Sequence, residues 1–230
     1  MGQKKIIFIG IDGGSWSVIN KLLKDGELAL IREFIEDGCS GNLLSTIPPN
    51  SAPSWASIFT GVNPGKHGIT DFIIRKKSGE FKIISSKDYM VPLIWEITSI
   101  HGLKNIVIND PITYPPLEIN GIFISGLMTP NFSKNFIFPK ELENEINRVA
   151  TGYWTDVPPF FSDMLLKDEL KAYELLKTMS RKITEATLYL MRNYEWDVLC
   201  VIFTSTDRLQ HFFWHKKDKI KDHYIFIDKL

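Results

Sequence analysis

Cysteine is nearly absent from this 230-residue chain, which carries only Cys39 and Cys200, far apart in sequence. Two thiols build neither a disulfide framework nor a four-cysteine zinc site, so two buried thiols in a reducing compartment, the cytoplasm, are expected. Long apolar runs are missing too. None approaches the roughly 18 residues that span a bilayer, and no membrane association is expected. The basic start followed by Ile6–Ile11 has the outline of a signal peptide, but the stretch is short and runs into Asp12, Gly13 and Gly14. Net charge is also lacking, because 27 Lys and Arg balance 27 Asp and Glu. Without a global basic field, nucleic acid is not an expected partner, and any bound anion must be held locally. With 15 Gly and 12 Pro, collagen-like and low-complexity readings fail as well.

What is present is a globular composition, 44% hydrophobic and 23% charged. Ile6–Ile11 reads as a strand covered on both faces, ended by Asp12-Gly13-Gly14. Ser15 caps a helix to about Lys24, and a second helix sets Leu28, Ile31, Phe34 and Ile35 on one face, with Gly38 as its stop. Asn42–Ile47 is expected to return as a second strand, closing a βαβ-like unit. Pro48–Pro53 is turn chemistry, and Pro53 suits the first turn of a helix that stops at Gly61. A hairpin around Lys77-Ser78-Gly79 is expected within Asp71–Lys87. Helix Val91–His101 and strands Asn105–Ile108 and Ile122–Ser125 resume the alternation. After a helix at Pro139–Val149 come a long helix over Asp168–Tyr194 and a buried-type strand, Trp196–Phe203. Helices around Leu209–Trp214 and His223–Leu230 close the series. The expected fold class is α/β, a mainly parallel sheet sandwiched by helices. A single domain over 1–230 is expected, with 71–87 and 127–159 as cap or insert segments.

In such sheets ligands sit at the carboxyl ends of strands. Asp12, the segment holding Ser51, and Asp207 are all expected there. Each has a plain structural reading beside the chemical one. Asp12 and Asp110 can cap helices, and Ser51 or Ser54 can cap the helix that follows. Ser51 at a helix N-terminus also faces free N–H groups and the positive dipole end, which suits phosphate. A metal that lowered its pKa would make it a nucleophile. Asp207 and His211 stand four apart, on one face of a helix, and a carboxylate with an imidazole suits a divalent metal, zinc especially. His67, in Pro64-Gly65-Lys66-His67-Gly68, suits a turn anchor, and His215 leads into a lysine-rich, solvated end.

The order IGIDGG, PPNSAPSWASIFTGVNPGKHGI, FTSTDRLQH resembles the alkaline phosphatase superfamily, and within it the type I phosphodiesterase/nucleotide pyrophosphatase family. The run from Pro48 to Ile69 is its specific part, and DPITYPP with NGIFISGLMTP is similar to a prokaryotic subgroup. The resemblance implies an alkaline phosphatase-like fold and two divalent metal ions, zinc or manganese. It implies that Asp12 and Ser51 bind one ion and Asp207 and His211 the other. Ser51 would be the catalytic nucleophile on a small-molecule phosphate ester, through a phosphoseryl intermediate.

Two departures from that family follow. Phe72 stands where many relatives place a phosphoryl-binding Asn, leaving the Ala52 backbone N–H as a substitute donor. The family's later Asp-His-Gly motif and distal His do not occur, so the chain is expected to be the N-terminal half of a longer enzyme, incomplete at the C-terminus through a gene break, a split gene or a truncated record, with a complementing C-terminal chain as one source of the rest. The alternative expectation is a catalytically silent domain that binds phosphate or a partner subunit. A sulfatase would need Arg where Trp55 stands, and the spacing around Ser51 fits a metal-dependent phosphoglycerate mutase less well.

Overall fold

Two short runs, Asn105–Asp110 and Val198–Phe203, are buried along their whole length, as strands covered on both faces must be. They form the middle of a five-stranded sheet in the computed structural model, which describes residues 4–75, 78–131 and 133–230. In chain order, β1 (Ile6–Ile11) is followed by helices α1 (Trp16–Lys24), α2 (Ala29–Asp37), α3 (Ser51–Thr60) and α4 (Pro64–His67). An antiparallel hairpin, β2 (Ile73–Arg75) with β3 (Phe81–Ile83), precedes α5 (Ile94–Ile100). Then come β4 (Asn105–Asp110), β5 (Gly121–Ser125), β6 (Ile137–Phe138), α6 (Glu143–Val149), α7 (Phe161–Lys167) and α8 (Glu169–Asn193). β7 (Val198–Phe203), α9 (Ser205–Phe213) and α10 (Lys217–Asp228) end the series.

The strand order is β1-β7-β4-β5-β6, parallel throughout except for the short antiparallel pairing of β6 with β5. Alternation along the central strands sorts two cores. Ile106, Ile108, Leu199 and Val201 face α8 and pack on Met179, Ile183, Ala186 and Leu190. Val107, Cys200 and Ile202 face the other way, onto Trp55 and Phe59 of α3 and Trp95 of α5. A third cluster joins Leu22 and Leu28 to Leu176, Leu209, Phe213 and Tyr224, fastening α1 to α8, α9 and α10. No helix among the described residues is long and apolar enough to cross a membrane.

The segment Asn42–Ile47 corrects the sequence reading. It forms no strand, and Leu43, Leu44 and Ile47 are exposed. β-forming side chains make a strand only against a partner, and β1 pairs with β7 instead of with this segment. The hairpin strands flank the expected turn, whose Lys77 lies outside the described residues. Leu28 does not sit on the α2 helix face as expected. It occupies a left-handed conformation (φ 57°) before α2, with its side chain in the core. Within 127–159, β6 joins the main sheet, so this stretch supplies an edge strand as well as loop.

Candidate active site

The carboxyl ends of β1 and β7 lie side by side, because Ile11 is paired with Phe203 and the Asp12 N–H donates to the Phe203 carbonyl at 2.9 Å. That register brings Asp12, just past β1, next to the first turn of α9, where Asp207 stands. Gly13 makes the approach possible. Its φ is +72°, and a Cβ there would lie 2.9 Å from the Asp207 Cα, with no room for it. Gln210 of α9 closes the contact by donating from Nε2 to the Gly13 carbonyl at 2.6 Å.

Ser51 opens α3. Asn50 caps that helix, accepting from the Ala52 N–H at 3.0 Å, and its own Nδ2 donates to Asp71 at 3.2 Å. The cap leaves the Ser51 hydroxyl free to reach the β1 end, where it donates to Asp12 Oδ1 at 3.2 Å. It also means that the Ala52 N–H, the donor expected for a phosphoryl oxygen, is engaged within α3. Phe72, at the position where relatives place Asn, packs on Ala52, Ala56 and Ile69.

Asp12 is buried, and its carboxyl is pushed up to about 6, first by desolvation and then by the facing Asp207 carboxylate. Two carboxylates that repel each other, with one of them desolvated, are an arrangement that cationic charge relieves, and the Arg208 guanidinium already supplies part of it. Asp207 Oδ1 stands 3.4 Å from His211 Nε2, one turn along α9, and His211 is largely exposed. A pocket of about 340 Å³ lies over this pair, lined by Gly13, Asp207, Gln210, His211 and Trp214. So the fold joins Asp12 to Ser51, and Asp207 to His211, with Asp12 and Asp207 in electrostatic contact. The donors present fit divalent cations of the zinc or manganese kind. Each pair supplies two donors, one fewer than the three protein ligands usual for catalytic zinc. Among the described residues, no three His, Cys, Asp or Glu side chains converge as a metal site.

Arg208 was not singled out from the sequence. Its guanidinium grips Asp156 through two bonds, Nε to Oδ1 at 3.1 Å and Nη2 to Oδ2 at 2.6 Å, tying the 151–159 loop to α9. Opposite charges so far apart in sequence carry no local signal. His67 anchors its turn, as expected. Its Nδ1 accepts from the Ile69 N–H, so Nε2 holds the proton and donates to Ser57 Oγ at 2.9 Å. Asp110 lies away from these residues, buried at the end of β4, with Trp95 Nε1 donating to its Oδ2 at 3.1 Å.

No curated protein sequence matches the chain. Solved structures that match in fold include two of phosphonoacetate hydrolase from Sinorhizobium meliloti 1021. The complex with phosphonoacetate gives a TM-score of 0.67 and the complex with phosphonoformate 0.68, each at 18% identity. Either match covers 99% of this chain and 52% of the other, so the chain spans about half the length of these relatives. The shared architecture is the alkaline phosphatase-like α/β fold, a mostly parallel sheet between helices. A sequence profile described as type I phosphodiesterase / nucleotide pyrophosphatase aligns with residues 6–230, nearly the whole chain. By that match the chain belongs to the type I phosphodiesterase / nucleotide pyrophosphatase family.

Proposed function

We propose that the protein hydrolyses small phosphoric diesters, with Ser51 as nucleophile. The observation that carries this reading is the Ser51 hydroxyl donating to the buried Asp12 carboxylate at the strand end that faces Asp207. Ser51 Oγ attacks phosphorus in line, its proton passing to Asp12, and an Oγ–P bond forms as the bond to the leaving alkoxide breaks. The alkoxide takes a proton from solvent and leaves as the alcohol. Water then adds to phosphorus and gives a proton to solvent, the Oγ–P bond breaks as the Asp12 proton returns to Ser51 Oγ, and the phosphate monoester is released. Divalent cations held by Asp12 with Ser51 and by Asp207 with His211 would lower the hydroxyl's pKa and stabilise charge on the phosphoryl oxygens. The unpaired Cys39 and Cys200 suit a reducing compartment, which favours the cytoplasm. The test is hydrolysis of bis(p-nitrophenyl) phosphate by the native protein. Chelation is expected to abolish turnover, and zinc or manganese to restore it. Turnover indifferent to chelation would sink the metal-dependent reading.

A polypeptide that completes the sheet is part of this proposal. β1 is an edge strand whose run IIFIGI holds no charge, and Ile6, Ile7 and Ile9 are exposed. Sheet edges are normally protected by charge, proline or cover, and among the described residues Ile6–Ile11 carries no charge and no proline. Beside it runs an apolar groove of about 340 Å³ lined by Phe8, Ile58, Phe59, Ile94 and Trp95. The occupant we place there is polypeptide equivalent to the half of phosphonoacetate hydrolase that the structural match leaves uncovered. Intact mass of the native protein decides its source. A mass well above 26.4 kDa puts the added strands in the same chain, and 26.4 kDa with a copurifying polypeptide puts them in a second. A native protein of 26.4 kDa that purifies alone overturns this part of the proposal. The second reading, a domain that binds phosphate or a partner without catalysis, is favoured by the shortage of converging metal ligands. That reading expects no turnover with any divalent ion.

A further inference from the structure

The helix that bears Asp207 and His211 begins without a side-chain cap, because Thr204 makes no capping bond. It is held from the opposite side instead. Ser205, the first residue of α9, sits fully buried with its Oγ 2.6 Å from Ser180 Oγ of α8 and 2.9 Å from His223 Nε2 of α10. Ser180 Oγ in turn lies 3.4 Å from the Leu176 carbonyl, and His223 Nδ1 has no partner. Counting donors settles the direction of this chain. A proton on Nδ1 would be a buried, unmet donor. A proton on Nε2 lets His223 donate to Ser205, Ser205 to Ser180, and Ser180 to Leu176, leaving only an unused lone pair. Burial keeps the imidazole neutral, so the chain holds no buried charge.

We propose that His223 and Ser180, acting through Ser205, are the positioning residues that set the rotation of α9 and so aim Asp207 and His211 at the β1 end. Two residues turn an α-helix by about 200°, so a grip on Ser205 at the inner face fixes the opposite face, where Asp207 projects. Gln210, bonded to the Gly13 carbonyl, and Arg208, bonded to Asp156, hold the middle of the same helix. Neither bonds to Ser205, whose side chain is held by Ser180 and His223. This inference rests on the metal-dependent reading above. It is distinct from it, since the three side chains touch neither substrate nor metal.

The test is a zinc titration of the native protein, together with any polypeptide that completes it, followed on the His211 ring signals by NMR, with far-UV circular dichroism and thermal midpoints recorded alongside. Ser205→Ala and His223→Leu are expected to weaken zinc binding about tenfold or more, the scale seen when an outer hydrogen-bond partner of a metal ligand is lost. His223→Gln, which offers an amide N–H to Ser205, is expected to restore most of the affinity. If His223→Leu does not fold, Ser205→Ala decides alone, since it removes one oxygen and little volume. Variants that lose thermal stability but bind zinc as the wild type does would overturn the positioning role. Failure of the wild-type native protein to bind zinc would overturn both this role and the metal-dependent reading.

Discussion

Replacing Ser51 by alanine is expected to lower phosphodiester turnover by at least about 10³-fold, because loss of a nucleophile leaves only binding and electrostatic stabilisation. Ser51→Thr keeps the hydroxyl and should retain most of the rate. Asp12→Asn tests the other half of the pair. It preserves the shape that receives the Ser51 hydroxyl at 3.2 Å but removes the charge that would take its proton, so a fall of about 10²-fold or more is expected. The measurement is kcat and KM on bis(p-nitrophenyl) phosphate with the native protein, each variant checked for folding. Loss of kcat with KM little changed is the signature of a group acting in the reaction. Rates within about tenfold of wild type for both Ser51→Ala and Asp12→Asn would move the chemistry elsewhere.

Stability should fall as pH rises through neutrality, and Asp110 is the cause. Its carboxyl is fully buried, Trp95 meets one oxygen, and the other has no partner. Burial raises it to about 8, against the Trp95 bond that favours the ionised form. The unfolded chain ionises the same group near pH ~3.9, so between these values the folded state holds a proton that the unfolded state has released. The contribution is therefore complete in acid and declines toward pH 8, by up to about 1.4 kcal/mol per pH unit. Asp12 acts with the same sign only up to about pH 6. His223, depressed to about 3 by burial, acts with the opposite sign below the ordinary histidine range. The interval from about pH 7 to 8 is thus governed, of these three, by Asp110. Urea unfolding across that interval should show wild-type stability dropping by about 1 kcal/mol and Asp110→Asn holding level. Asn still accepts from Trp95, so packing is preserved. Identical slopes for the two proteins would refute this account of Asp110.

The sequence made the buried centre of the fold legible and the edges much less so. β4, β5, β7 and α8 were readable because both faces of each strand, or one long face of the helix, are apolar at a fixed period. The positions of Asp12 just past β1 and Ser51 at the start of α3 were readable from the elements beside them, and the four-residue spacing of Asp207 and His211 from helix periodicity, while the roles of all four are the proposal made above. Asn42–Ile47 misled, since its β-forming residues carry no information about whether a partner strand exists. The left-handed Leu28 and the two-residue β6 depend on what packs beside them. The same holds inside the site: the Arg208–Asp156 pair and the Ser180–Ser205–His223 chain join residues whose nearness only the folded sheet creates.

The parallel pairing of β1 with β7 has a consequence for synthesis on the ribosome. The first strand made finds its partner roughly 190 residues later, which at ~5–20 residues per second is on the order of 10–40 s of translation. Throughout that interval a charge-free apolar segment stands unpaired near the N-terminus. Asp12 and Asp207 meet only when that pairing closes, so the two sides of the candidate site stay apart until both strands have been made. The nascent chain is open to capture by chaperones, or by another nascent copy, for as long as its chemistry is still in separate pieces.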